Sequence, residues 1–277
     1  MSGYKTRRGK DISFIIGITI LTFLGILPLF HIIATVFING VPIIAKKGIS
    51  FLTNTLSNGG IGPAIAGTFI LIFLSSLIGL PVALLVGIYA YEYPESKIGR
   101  ATKTLLQIML EFPTILVGVF VMSMIAIPMG TYSAIAGAFA LAIILMPYVA
   151  VYTQEAMREI PFTYREASFG LGLSRVKVIF QILVPLSKRG ILTGVLIGLA
   201  KVAGETAPLL FTVGGLYESY PASITEPVGA IPLLIYTLVQ SPSKADHMMA
   251  WGASLILLLI FLLIFIPIRL KLREVRL

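Results

Sequence analysis

The chain has 277 residues, of which 57% are hydrophobic and only 12% charged, with a net charge of +9. A soluble globular domain carries about 25% charged residues, so an ordinary soluble fold is excluded. The basic residues sit between long apolar runs rather than on one exposed surface among aromatic and polar groups, which argues against nucleic acid as a partner and makes membrane lipid the solvent.

Six uninterrupted apolar runs lie near 12–38, 64–91, 105–127, 131–153, 190–213 and 248–268, each about as long as the 20 residues that cross a bilayer. Each is predicted to be a helix, because a lone span must satisfy its backbone internally and none of the runs alternates as a barrel strand does. The expected fold class is therefore an all-α polytopic membrane protein with six transmembrane helices. The first run follows a basic start but is too long for a signal core and lacks a small-x-small cleavage site, so it reads as a retained anchor. Residues 1–63 form a tail, this anchor and an external loop; residues 64–277 form a five-span core with one long loop at 154–188.

Lys and Arg accumulate on the cytoplasmic side of membrane proteins. With the N-terminus inside, that side collects Lys5, Arg7, Arg8 and Lys10, then Lys97, Arg100 and Lys103, then Arg158, Arg165, Arg175, Lys177, Lys188 and Arg189, and finally Arg269, Lys271, Arg273 and Arg276. The other side holds only Lys46, Lys47 and Lys244. Both termini are expected in the cytoplasm. Trp251, Tyr217, Tyr220 and Tyr132 fall near the outer boundary, where amphipathic rings prefer to lie. With no cysteine and two isolated histidines, His31 and His247, no metal cluster is expected.

The 154–188 loop is not written like a linker. Pro161 suits the first turn of a helix over 162–169, which Gly170 and Gly172 would end. Ser174 would cap a second helix over 175–183, to be ended or kinked by Pro185. The turn between them would display Phe169, Leu171 and Leu173, which reads either as a partner's docking site or as a segment lying on the bilayer.

The fifth span carries the unusual charges. At about 1.5 Å per residue, Lys201 lies roughly 18 Å above Arg189, near the middle of a hydrocarbon layer about 30 Å thick. A charge there normally faces a protein interior or an aqueous pathway. Plotted at about 100° per residue, Gly190, Gly194, Gly198, Lys201, Glu205, Pro208 and Thr212 share a stripe about 80° wide. The glycines would admit a close helix neighbour. Lys201 and Glu205 either line a pathway or only lock two helices together. Glu111 in the third run is the other carboxylate expected at depth, pairing with Lys103 or a partner chain near the inner edge.

Two strings carry a family resemblance. Glu166-Ala167-Ser168-Phe169-Gly170-Leu171-Gly172, followed by Ile182-Leu183-Val184-Pro185, resembles the EAA loop of ABC-importer permeases, with Ser168 in place of the second Ala and Val184 in place of Leu. Ala203-Gly204-Glu205-Thr206-Ala207-Pro208-Leu209 is similar to the Gly-Glu-Thr-Ala-Pro signature of phosphate-importer permeases, and the stretches Gly60 to Thr68 and Phe112 to Gly118 agree. The resemblance implies the type I ABC-importer (MetI-like) permease fold, in the cell inner membrane. It implies inorganic phosphate as the transported anion, with Lys201, Glu205, Thr206 and Pro208 on its pathway. It also implies a homologous permease partner (PstC-like), two ATPase subunits (PstB-like) gripped by the loop from Glu166 to Gly172, and a phosphate-binding protein (PstS-like). No cofactor is expected on this chain, ATP and Mg being handled by the partner ATPase. Members usually carry Arg where this chain has Lys201, so charge sign is kept while two-pronged contact to an oxyanion is lost.

No phosphate-binding loop, dinucleotide-fold glycines or His-Glu-x-x-His string is present, so a non-catalytic permease is expected. The rivals are a permease for molybdate or sulfate, a membrane-embedded enzyme, for which only Glu111 and Glu205 offer acid–base groups, and an ATP-independent channel, which gives no reason for the patterned loop.

Overall fold

The structure, a computed structural model, describes residues 2–274, without the side chains of 2–10, 13, 264, 268, 269 and 271–274. The basic side chains of both terminal segments (Lys5, Arg7, Arg8, Lys10, Arg269, Lys271, Arg273 and Arg276) therefore lie outside the described residues. Regular structure is helical throughout; among the described residues the sole β pairing is a single bridge between Gly214 and Val228.

Helix α1, Ser2–Lys47, has 46 residues and is about 69 Å long at 1.5 Å per residue, so the first predicted span is only its middle. It packs chiefly along the last helix and leaves most apolar side chains exposed. A short α2, Ile49–Thr53, leads to α3, Gly62–Glu92, the second span.

The third predicted span is broken. Helix α4, Lys97–Glu111, and helix α5, Thr114–Met129, meet at 101°. The cause is Pro113: it lacks an N–H and biases the preceding residue away from helix, and Phe112 is extended at φ −72°, ψ 133°. Among the described residues five helices are thus long and apolar enough to cross a membrane, or six with the bent pair taken as one.

Helix α6, Ala134–Arg158, is the most buried span, and its closest partner is α3. The pairing runs over small residues: a Cβ added at Gly87 would come within 2.5 Å of the Ala150 carbonyl oxygen, and one at Gly79 within 3.2 Å of that of Ala142. Lipid tails give apolar helices no reason to prefer each other, so close backbone packing supplies the association. Loop helix α7, Phe162–Gly170, is followed by α8, Arg175–Ala203.

Pro185 does not end α8. A π turn over Val178–Leu183 precedes it, closed by a bond from Val184 N–H to the Ile179 carbonyl, and the second loop helix and the fifth span are continuous. An equivalent π turn, Met122–Ala126, stands before Pro128 in α5. A widened turn is one way a helix absorbs the ring and missing donor of proline.

Beyond α8 the chain folds back into the bundle instead of crossing outside it. After a 3-10 turn at Leu209–Phe211, Val213 and Val228 are fully buried and paired by a 2.9 Å hydrogen bond from Val228 N–H. Helix α9, Ile231–Val239, an apolar run too short to count among the six predicted spans, completes this re-entrant segment before α10, Lys244–Glu274. The Gly67-Thr68 pair of α3 seats it: Thr68 Oγ1 accepts from Ile231 N–H at 2.9 Å, and a Cβ at Gly67 would overlap the Gly229 carbonyl.

Gly67→Ala is expected to destabilise the protein by about 1–3 kcal/mol, because backbone cannot yield as a side chain can. Gly17→Ala in α1, with nothing within 4 Å of the added carbon, serves as the control. Thermal unfolding in detergent should separate them, with a lowered Tm for the first alone.

Candidate functional site

Lys201 stands in the last turn of α8 and ion-pairs with Glu205 at 2.6 Å. The helix that was to carry both ends at Ala203: Gly204 sits at φ −98°, ψ 0°, and Glu205 donates its N–H to the Val202 carbonyl at 3.2 Å in the turn beyond. Pro208 accounts for part of this, since a continued helix would meet its ring and lose its donor. The continuous stripe therefore stops at Lys201, and Glu205, Pro208 and Thr212 occupy a separate turn. The Glu205 side chain is 7% exposed and that of Lys201 40%, so the carboxylate is the buried member and the amine the accessible one. The helix dipole adds to the attraction, since the last turn of α8 favours a cation.

Lys201 borders a cavity of about 410 Å³ enclosed by the α4–α5 bend and α6, with Phe112, Thr114, Val117, Ile144 and Tyr148 among its walls. It is the only charged side chain lining that cavity. Thr206 and Pro208 lie elsewhere and build the turn that seats Glu205. The Thr206 carbonyl accepts from Leu209 and Leu210 N–H at 3.1 and 3.3 Å, and Thr212 Oγ1 donates to the Pro208 carbonyl at 2.9 Å. Gly118 of α5 presses on Pro208, whose Cα would be 2.6 Å from an added Cβ. Gly190, Gly194 and Gly198 face α6: added Cβ atoms would overlap Ala156 and Tyr152 and come within 3.0 Å of Val149.

The 154–188 segment lies at the opposite end of α8. Glu166 and Ala167 are exposed, as are Phe169 at 42% and Leu171 at 82%. Leu173, expected beside them, turns inward onto the cluster of Met157, Val178, Ile179 and Leu183, so the displayed apolar pair is Phe169 and Leu171. Ser168 is buried and donates to the Tyr164 carbonyl at 2.6 Å. Gly170 is exposed in the last turn of α7, and Gly172 adopts φ +77°, a left-handed conformation costly for other residues. Ser174 occupies the cap position of α8 without a side-chain cap bond.

A carboxylate that the sequence reading passes over holds this loop. Glu92, the last residue of α3, has a side chain only 1% exposed and is ion-paired with both Arg165 of α7 and Arg175 of α8. Arg175 also lies 4.5 Å from the Tyr93 ring centroid, and Arg165 5.7 Å from that of Phe169. Burial acts to lower the pKa of Arg165, but the hydrogen bond and charge of Glu92 outweigh it and leave that pKa raised.

Against known proteins, the family described as "Binding-protein-dependent transport system inner membrane component" matches residues 79–273. The chain belongs to that family. The chain is 65% identical over 265 residues to the probable phosphate transport system permease protein PstA of Methanocaldococcus jannaschii, covering 96% of this chain and 94% of the relative. The phosphate transport system permease protein PstA of Pasteurella multocida is 37% identical over 247 residues, 87% of each chain. A solved structure of the MetNI methionine ABC transporter, inward facing in the CY5 native crystal form, superposes with a TM-score of 0.62 at 21% identity, covering 79% of this chain and 95% of its own. That likeness shows the fold, an all-α permease of the MetI type. The chain is thus a multi-pass, non-catalytic membrane permease subunit, of a class that works with an ATPase and a substrate-binding protein.

Glu111, which the sequence places at depth, is exposed on the surface of this chain. It is the last residue of α4, just before the Pro113 bend, and has no ion pair among the described residues. Glu92 is the buried one instead. It ends an apolar run, where a charge ordinarily meets solvent, and its partners lie 73 and 83 residues away, so no local spacing marks it.

Lys201→Gln alone leaves Glu205 buried without its partner. Breaking a buried pair in this way costs about 3–5 kcal/mol, and the partial exposure of Lys201 places the loss toward the lower figure. Adding Glu205→Gln should recover most of it, read as Tm differences in a double-mutant cycle.

Proposed function

We propose that this permease forms half of the translocation pathway of an ATP-driven phosphate importer in the cell inner membrane, with both termini and the 154–188 loop in the cytoplasm. The observation that carries the reading is the accessible ammonium of Lys201, paired with a buried carboxylate and bordering a largely apolar cavity in whose wall it is the only charged side chain. The names of its relatives, one of them 65% identical, support phosphate as the anion.

The chemistry suits passage rather than storage. A transported ion must be held well enough to enter and weakly enough to leave. An ammonium attracts phosphate as a point charge and lacks the two-pronged grip of a guanidinium. Glu205 takes the cation back once the anion has moved on, so Lys201 exchanges one oxyanion partner for another and is never left bare in a medium of low dielectric constant. Thr206 and Pro208 hold the turn that makes the exchange local.

The partners this implies are a homologous permease (PstC-like) completing the pathway, two ATPase subunits (PstB-like) that bind and hydrolyse ATP with Mg, and a phosphate-binding protein (PstS-like) delivering the anion. Phe169 and Leu171, displayed beside Glu166, Ala167 and the Gly170–Gly172 turn, supply the apolar contact with the ATPase, and Pro185 begins the rigid stem behind them. Closure of the ATPase pair then drives this loop and rocks the bundle about the central site.

In vesicles holding the assembled complex, Lys201→Ala should lower ATP-driven phosphate uptake at least about tenfold, the effect of losing about 1.4 kcal/mol, while Lys201→Arg retains most of it. Wild-type uptake by the alanine variant would refute the pathway role. Gly172→Val should abolish ATP-driven uptake with phosphate capture by the external binding protein unchanged; unaltered uptake would count against the coupling loop.

A further inference from the structure

Of the nine residues of α7, only Ser168 is buried, so apolar packing attaches this helix to the bundle weakly. Its charged attachment is Arg165, and that arginine reaches not a neighbour in the loop but the end of α3. Arg175, in the first turn of α8, pairs with the same Oε1 of Glu92 and reaches its backbone carbonyl at 3.4 Å. One oxygen atom thus joins three elements, while the other oxygen, Oε2, is buried with no protein partner.

The far end of α3 is equally committed. Thr68 receives the Ile231 N–H at 2.9 Å, and the same re-entrant segment pairs Val228 with Val213, two turns of chain beyond Glu205. Between Thr68 and Glu92 α3 runs as one unbroken helix of 25 residues, about 36 Å long, packed against α6 through close glycine contacts. A displacement delivered at Glu92 therefore has a continuous helical path to the re-entrant segment that follows Glu205, whereas a displacement of α7 alone would be lost in the loop.

We propose that Glu92 is a positioning residue for transport: it clamps α7 and the start of α8 to the end of α3, so that movement of the loop becomes movement of the helix. This rests on the reading of the loop as the ATPase contact. Without the carboxylate, two guanidiniums would converge on one point with no counter-charge, and the loop would part from α3 by like-charge repulsion.

The test uses the complete reconstituted complex and reads the ratio of phosphate imported to ATP hydrolysed, which a variant that merely unfolds some of the complexes does not change. Coupling between sites commonly amounts to factors of about 5 to 150; Glu92→Gln should lower the ratio at least about fivefold while the ATPase still co-purifies, and Glu92→Asp should recover part of it. A wild-type ratio in assembled Glu92→Gln complexes overturns the proposal. If Glu92→Gln fails to assemble, the decision passes to Glu92→Asp, for which a wild-type ratio overturns the proposal and an intermediate ratio upholds it. Leu171→Asp separates the two readings. Loss of ATPase co-purification together with a wild-type ratio for Glu92→Gln sinks the clamp alone, whereas retention of the ATPase by Leu171→Asp sinks the docking reading on which the clamp depends.

Discussion

Hydrocarbon offers no water to a charge or to an unpaired backbone group, and every unusual feature of this permease answers that constraint. The two buried carboxylates, Glu92 and Glu205, are each held by cations. Pro128 and Pro185 sit behind widened turns, which keep their helices continuous. Where proline does break a span, at Phe112–Pro113, the irregular backbone borders a cavity, with Phe112 and Thr114 in its wall.

The ion pairs of the two buried carboxylates share a polarity. In both, the carboxylate is the deeply buried member and the cation the more exposed one: 1% against 17% and 47% at Glu92, 7% against 40% at Glu205. A buried anion fixed to the scaffold with a mobile cation outside it leaves positive charge available. At Lys201 that charge faces the cavity. At Arg165 and Arg175 it is committed to the loop, and the aromatic rings of Phe169 and Tyr93 lie beside the guanidiniums on that side.

How much of this is legible without coordinates depends on the range of the interaction. Apolar runs are local, so the spans emerge directly, and the Lys201–Glu205 pair follows from a four-residue separation. The end of α8 is less legible, because the glycine stripe continues smoothly in sequence through Glu205 and Pro208 while Gly204 and Pro208 together stop the helix. Helix α9 is short and follows a polar stretch, so its burial depends on α3 receiving it through Thr68, a contact across 163 residues. Glu92 is the extreme case: a single glutamate whose meaning lies wholly in two distant arginines.

The wide turn at Val178–Leu183 has a geometric consequence for the whole of α8. A π turn holds one residue more than the α turn it replaces, and one residue is roughly 100° of azimuth. Arg175 lies on one side of that surplus residue and Lys201 on the other. With Arg175 fastened to Glu92, the extra residue sets the compass bearing of everything downstream, including the ammonium in the cavity wall. Pro185, the most familiar residue of the loop motif, thus helps to aim a side chain sixteen positions further along the helix.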